Sequence, residues 1–158
     1  MPHAYPRQSK KRKNMITIIV ERREQRPWDF GGYAEVARGT ISAGDYALQG
    51  DNGFAIERKS LDDYVGTVFT GWRRFRAELD RMRAMEFPAV VVIVEAEWMD
   101  VLRHSYNHSE IEPQAVLKRT AELMLSGVSI FFAGNPTAAA GVCWKLLDER
   151  RRSLEAKE

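Results

Sequence analysis

The residues best suited to chemistry lie in one stretch, Gly44 to Asp63, GDYALQGDNGFAIERKSLDD. It places Asp45 a short hairpin ahead of Glu57-Arg58-Lys59, with Asp63 just beyond. In FAIERKS apolar and charged residues alternate, and a strand sends successive side chains to opposite faces. Glu57 and Lys59 are therefore predicted to share a face, with Arg58 on the other. A carboxylate beside an ammonium, with a second carboxylate from the neighbouring strand, can hold a divalent cation and a water together. Hydrolysis of a phosphodiester needs charge stabilised on a non-bridging oxygen and a nucleophile made from water near neutral pH, both within the power of a hard cation such as Mg²⁺ or Mn²⁺. Mg²⁺ takes oxygen ligands and keeps several waters, so Asp45 and Glu57 are a sufficient protein share, with the Arg58 carbonyl as a candidate third ligand. Lys59 would orient the attacking water or offset charge in the transition state. The competing interpretation is an ordinary Glu57–Lys59 salt bridge on an exposed strand, where charges merely discourage edge pairing.

Composition limits the setting. At 158 residues and 44% hydrophobic, the chain is long enough for one domain with a real core and short for two. A single cysteine, Cys143, excludes an internal disulfide and a cysteine-based zinc site, which fits a reducing compartment. The longest apolar run, Ala89 to Val94, is far below a membrane span, and the N-terminus lacks the apolar core of a signal peptide. A cytoplasmic protein is expected, with no membrane partner. The net charge of +2 conceals an asymmetry: Arg7, Lys10, Lys11, Arg12 and Lys13 precede the first acid and leave the remainder net acidic. Binding to nucleic acid would then depend on local basic patches and the metal.

The elements that must position these residues follow from periodicity. Residues 1–14 read as a disordered basic arm, either a grip for phosphates or a solubilising terminus. MITIIV, Met15 to Val20, is a buried strand that delivers Glu21 to Glu24 at its end, and PWDFGGY is a loop. Val36 to Ile41 and Tyr46 to Leu48 read as short strands joined through Ser42-Ala43-Gly44, followed by a turn at GDNG and the strand bearing Glu57. Ser60 caps a short helix over Leu61 to Thr67. A second helix, Trp72 to Met85, has an apolar stripe of Phe75, Leu79, Met82 and Met85. Arg73, Arg74, Arg76, Arg81 and Arg83 make the rest of that helix basic, either as a solvated face or as a contact for backbone phosphates. Phe87-Pro88 ends it. AVVVIVE, Ala89 to Glu95, is a strand covered on both faces. Then come a short helix over Glu97 to Arg103, a polar loop, a helix over Pro113 to Leu125, a strand over Val128 to Ala133, and a last helix capped by Asn135-Pro136. The charged end from Arg150 is expected to fray, with 153–158 as a tail. Such an order predicts an α/β domain with a central mixed sheet flanked by helices.

The combination of Gly44-Asp45 with Glu57-Arg58-Lys59-Ser60-Leu61-Asp62-Asp63 matches the GD…ERKxxxD signature of the XPF-type structure-specific endonucleases, a branch of the PD-(D/E)xK nuclease fold. IIVERREQR resembles the family's first strand, VVVIVE its central strand, and EPQAVLKRTAELMLSGVSIFFAGNPTAAA its C-terminal helix, strand and helix, so the likeness spans about residues 15–150. The resemblance implies a restriction-endonuclease-like sheet, a nuclease domain over 15–152, and a metal-dependent endonuclease acting on branched, flapped or nicked DNA. It further implies Asp45 and Glu57 as metal ligands, Lys59 as the catalytic lysine, Asp63 as the acid closing the motif, and Arg58 as the motif's arginine. Arg23 and Glu24 match the first-strand segment, and Glu21 stands where the family usually has Asp, as a third metal ligand reached directly or through water.

Relatives usually add helix-hairpin-helix repeats or a helicase. Neither is present in this sequence, nor is the GxxxxGK signature of ATP-driven unwinding. Grip on DNA is therefore expected from Lys10, Lys11, Arg12 and Lys13, from Arg23, from Arg73, Arg74 and Arg76, or from a partner subunit. A homodimer or a heterodimer with a related chain is implied, with Val142, Leu146 and Leu147 as candidate interface or plain core. The resemblance places the protein with DNA, nucleoid-associated or nuclear. Two alternatives stay open: an inactive DNA-binding or scaffolding subunit, and another nuclease of the same fold such as a junction resolvase. His104 and His108 read as an incidental pair in a loop, and Cys143 as a buried small hydrophobe.

Overall fold

In the computed structural model, residues 15–85 and 89–158 are described. Six strands form one sheet in the order β2-β1-β3-β4-β5-β6. These are β1 (Ile16–Glu21), β2 (Ala34–Gly39), β3 (Tyr46–Leu48), β4 (Ile56–Lys59), β5 (Val90–Val94) and β6 (Val128–Phe132). β3 runs antiparallel to β1 and β4, while β1–β2, β4–β5 and β5–β6 are parallel, so the sheet is mixed as expected.

Alternation along the strands sorts two cores. Val90, Val92 and Val94 face one layer, with Tyr64, Val65 and Val68 of α1 (Leu61–Val68), Phe75, Leu79 and Met82 of α2 (Trp72–Arg83), and Val116 and Leu123 of α4 (Pro113–Leu125). Val91 and Ile93 face the other layer, with Ile16, Ile18, Val20, Tyr46 and Ile56, under Ala139, Ala140, Cys143 and Leu147 of α5 (Pro136–Glu155). Complete burial of β5 explains why its sequence does not alternate. Caps work as read: Ser60 accepts from the Asp63 N–H, and Asn135 accepts from the Ala138 N–H. The short helix α3 (Trp98–Leu102) begins where the Asp100 carboxylate accepts from the Glu97 N–H.

Two expectations are corrected. The second strand lies at 34–39, not 36–41, and it is not beside the third: β1 lies between them. The connection from β1 to β2 makes a parallel crossover without a helix, because Trp28 and Phe30 from that loop are themselves buried on the sheet. Trp28 stacks on Tyr46 at 4.6 Å, and its main-chain N–H donates to the Tyr46 hydroxyl at 2.9 Å. The C-terminal end does not fray at Arg150 either. α5 continues to Glu155, and the Arg150 Nε donates to Asp51 at 2.7 Å, with side chains only 7% and 5% exposed. An ion pair buried to that degree pins the helix to the turn before β4. The expected arm at 1–14 and the break at Phe87-Pro88 lie outside the described residues.

Candidate active site

Backbone geometry brings the two carboxylates together. Gly44 has φ +96°, and a Cβ there would lie 2.9 Å from the Ala55 Cβ, so the turn into β3 requires glycine twice over. The next N–H, of Asp45, donates to the Ile56 carbonyl at 2.9 Å. In return the Asp45 Oδ2 accepts from the Arg58 N–H at 2.8 Å. The Lys59 carbonyl is taken by the Glu95 N–H on the β5 side. Alternation along a parallel ladder therefore turns the main-chain groups of Arg58 toward β3 and Asp45.

Glu57 is 4% exposed. Its Oε1 meets the Lys59 Nζ at 3.3 Å, while its Oε2 is buried with no hydrogen-bond partner. Lys59 is 17% exposed and lies over the Phe75 ring, 5.5 Å from its centroid. Burial, and after it the Asp45 charge, holds the Glu57 carboxyl well above the usual carboxylate range. Burial also raises Asp45, against the lowering effect of the Arg58 N–H. Like charges with little solvent between them cannot both ionise cheaply, and a divalent cation removes that conflict. The donor set fits a hard cation: two carboxylates, one with an orphaned buried oxygen, beside an ammonium.

The expected third acid is engaged elsewhere. Glu21 accepts from the Ile41 N–H at 2.7 Å through Oε2 and from the Arg23 Nε at 3.2 Å through Oε1. The Ile41 bond holds its carboxyl below the ordinary value. Among the described residues no group of three or more His, Cys, Asp or Glu side chains is placed to hold one metal ion, so the three-acid set Asp45, Glu57 and Glu21 is not assembled. The cause is the unpaired N–H of Ile41, which Glu21 satisfies, fixing the segment that leads to Gly44.

The Arg58 side chain turns to the opposite face, as alternation predicts. It pairs with Glu95 and Glu24, donates to the Arg26 carbonyl, and lies 5.3 Å from the Trp28 ring centroid. Trp28 also donates to Glu95. This side chain therefore straps the β1–β2 loop to the sheet and reaches the site only through its main chain. Neither Glu95 nor Trp28 stood out in the sequence, because their meeting with Arg58 is set by strand pairing across long separations. Asp63 is exposed in the first turn of α1, suited to the helix dipole, and does not line the cleft beside Asp45.

That cleft, about 470 Å³, is lined by residues including Glu21, Arg23, Glu24, Asp45, Glu78 and Arg81. Arg23 is 88% exposed at its rim. Arg73, Arg74 and Arg76 are exposed on α2 but do not line it, and Lys10, Lys11, Arg12 and Lys13 lie outside the described residues. Glu78 is the lining residue that sequence reasoning missed. His104 points its ring at the His108 carbonyl, and Cys143 is buried.

The ERCC4 domain matches residues 20–143. The chain belongs to the ERCC4-domain family. The XPF-type resemblance read from GD…ERKxxxD is thereby borne out. Two solved structures share the fold with a TM-score of 0.66 and 22% identity: "XPF from Aeropyrum pernix", over 85% of this chain and 61% of that one, and "XPF from Aeropyrum pernix, complex with DNA", over 87% and 66%. The chain thus spans about two thirds or less of each. No curated protein sequence matches it. Among the described residues of this ERCC4 domain, no helix is long and apolar enough to cross a membrane.

Proposed function

We propose that the chain is a divalent-metal-dependent endodeoxyribonuclease that cuts branched, flapped or nicked DNA. The observation that carries this is the Glu57 carboxylate, buried beside Asp45 with one oxygen on Lys59 and the other without a partner. A buried acid left half satisfied is costly unless something binds it. Membership of the ERCC4-domain family supports the reaction class, and the DNA complex of one structural relative supports DNA as the substrate.

Asp45 and Glu57 would hold Mg²⁺ or Mn²⁺, with the Arg58 carbonyl as a further oxygen. The cation, when bound, supplies charge stabilisation on the phosphate and lowers the pKa of water. The chain's own contribution is positional. The Arg58 N–H fixes the Asp45 rotamer, and Phe75 and Glu57 fix Lys59. Lys59 orients the attacking water and offsets negative charge on the phosphate. Glu57 gives up its proton when the site is loaded. Glu21 secures the Ile41 to Gly44 segment and stands near enough to act through water. Asp63 stabilises the start of α1, and so the strand end that bears Lys59. Arg23 at the cleft rim, the α2 arginines and the basic arm supply phosphate contacts. Val142 and Leu146 of α5, half-buried, are the candidate dimer surface, and location follows the substrate, on the nucleoid or in the nucleus.

The deciding experiment is a panel of flap, fork, nicked-duplex and linear DNAs with mapped cut positions, in Mg²⁺, in Mn²⁺ and in EDTA. Cleavage near junctions only with metal is expected. Binding without cleavage under every condition would replace the proposal with an inactive DNA-binding subunit.

A further inference from the structure

Glu78 belongs to no part of the GD…ERKxxxD signature and comes from α2, the helix laid over the sheet face that carries Lys59. It lines the same cleft as Asp45. Phe75, one turn earlier, lies under the Lys59 Nζ, and side chains three apart on a helix share a side. Arg74 and Arg81 flank Glu78 at the spacing where a solvent-facing glutamate closes an ion pair. Among the described residues it nevertheless makes no hydrogen bond or salt bridge. The second observation is the orphaned Oε2 of Glu57, buried on the strand whose Arg58 N–H holds the cleft residue Asp45.

Resting on the metal-dependent reading above, we infer that Glu78 is a third carboxylate of the cation site, reaching the ion through a water molecule. Direct ligation is excluded in this arrangement, because no three acids among the described residues are placed around one ion. A water between them spans the gap, and the extra negative charge tightens cation binding. Glu78 accepts a hydrogen bond from that water and so holds its lone pair in one direction. In the metal-free protein Glu78 and Asp45 share the cleft as like charges, a conflict that a divalent cation removes.

The test uses the full chain and its Glu78→Gln and Glu78→Asp variants, with Mn²⁺ titrated calorimetrically in the absence of DNA, alongside thermal unfolding with and without Mn²⁺. Glu78→Gln is expected to fold, to melt at or above wild type without metal, and to bind Mn²⁺ roughly 10-fold more weakly, in line with groups that orient a metal's ligands. Glu78→Asp should recover part of the affinity, an effect that a merely structural role would not produce. Unchanged Mn²⁺ affinity and unchanged metal-induced stabilisation in Glu78→Gln would overturn the role of Glu78 while leaving the nuclease proposal standing. Wild type that binds no Mn²⁺ would overturn both.

Discussion

Lys59 and Glu57 share one face of β4, with Nζ 3.3 Å from Oε1 and the other carboxylate oxygen unpartnered. The lysine is thus held by the acid it would work beside. Lys59→Ala is expected to abolish DNA cleavage while leaving DNA affinity within a few-fold, because phosphate contacts from other basic residues persist. Single-turnover cleavage and equilibrium binding on one flap substrate measure the two effects separately. Loss of binding in proportion to activity would make Lys59 a DNA contact only.

Asp45 accepts the Arg58 N–H at 2.8 Å, a bond that asparagine can retain through its carbonyl oxygen. Asp45→Asn should therefore fold normally, bind Mn²⁺ more weakly and cut poorly even with excess metal. Circular dichroism and Mn²⁺ titration check the separation of fold from metal binding.

The raised Glu57 carboxyl gives metal binding a pH dependence. Above the ordinary value of 4.5 the unfolded chain has lost its proton while the folded, metal-free protein still holds it, so this group's contribution to stability declines as pH rises. A cation takes the ionised form, so Mn²⁺ affinity should increase with pH across the same window, with protons released. Calorimetry in buffers of different ionisation enthalpy counts those protons, and binding independent of pH would contradict the assignment of Glu57 as a ligand.

Arg150 and Asp51 are 99 residues apart, and their side chains are almost wholly covered. Burial pushes Asp51 up, but the Arg150 hydrogen bond and the Gly53 N–H outweigh it and leave its carboxyl below the ordinary 3.8. Its stabilising contribution is present above that value and is lost as pH falls through the lowered one. Arg150→Ala strands the carboxylate and should cost about 3 kcal/mol. Urea unfolding near neutral pH measures the loss, and Asp51→Asn should flatten the acid side of the stability profile.

Removing residues 1–13 should lower DNA affinity and reduce the slope of its logarithm against salt, because those cations release counterions. Filter-binding titrations over a salt series supply the slope. An unchanged slope would assign the arm no part in binding.

Much of the site was legible because its chemistry is local. Alternation in FAIERKS put Glu57 and Lys59 on one face and Arg58 on the other, and the two-strand spacing put Asp45 opposite; the geometry agrees on each. The buried β5, the caps at Ser60 and Asn135, and the stripe on α2 were equally local, since each depends on neighbours within one element. Strand order was not. Nothing in the residues from Arg22 to Tyr33 announces a parallel crossover, which depends on Trp28 finding Tyr46 in space. The same holds for the destination of a charge. Glu21 is a strand-end acid in sequence, and only the unpaired N–H of Ile41 decides that its carboxylate is spent on the main chain. Glu78 reads as one more polar residue of an amphipathic helix until that helix is laid over Lys59. The sequence by itself determined the candidate chemistry, with Glu57 and Lys59 on one face of β4 and Arg58 on the other, because side-chain alternation is a property of any strand. Which further acids face that chemistry was decided by tertiary packing, because a carboxylate goes where the nearest unsatisfied donor or open cleft happens to stand.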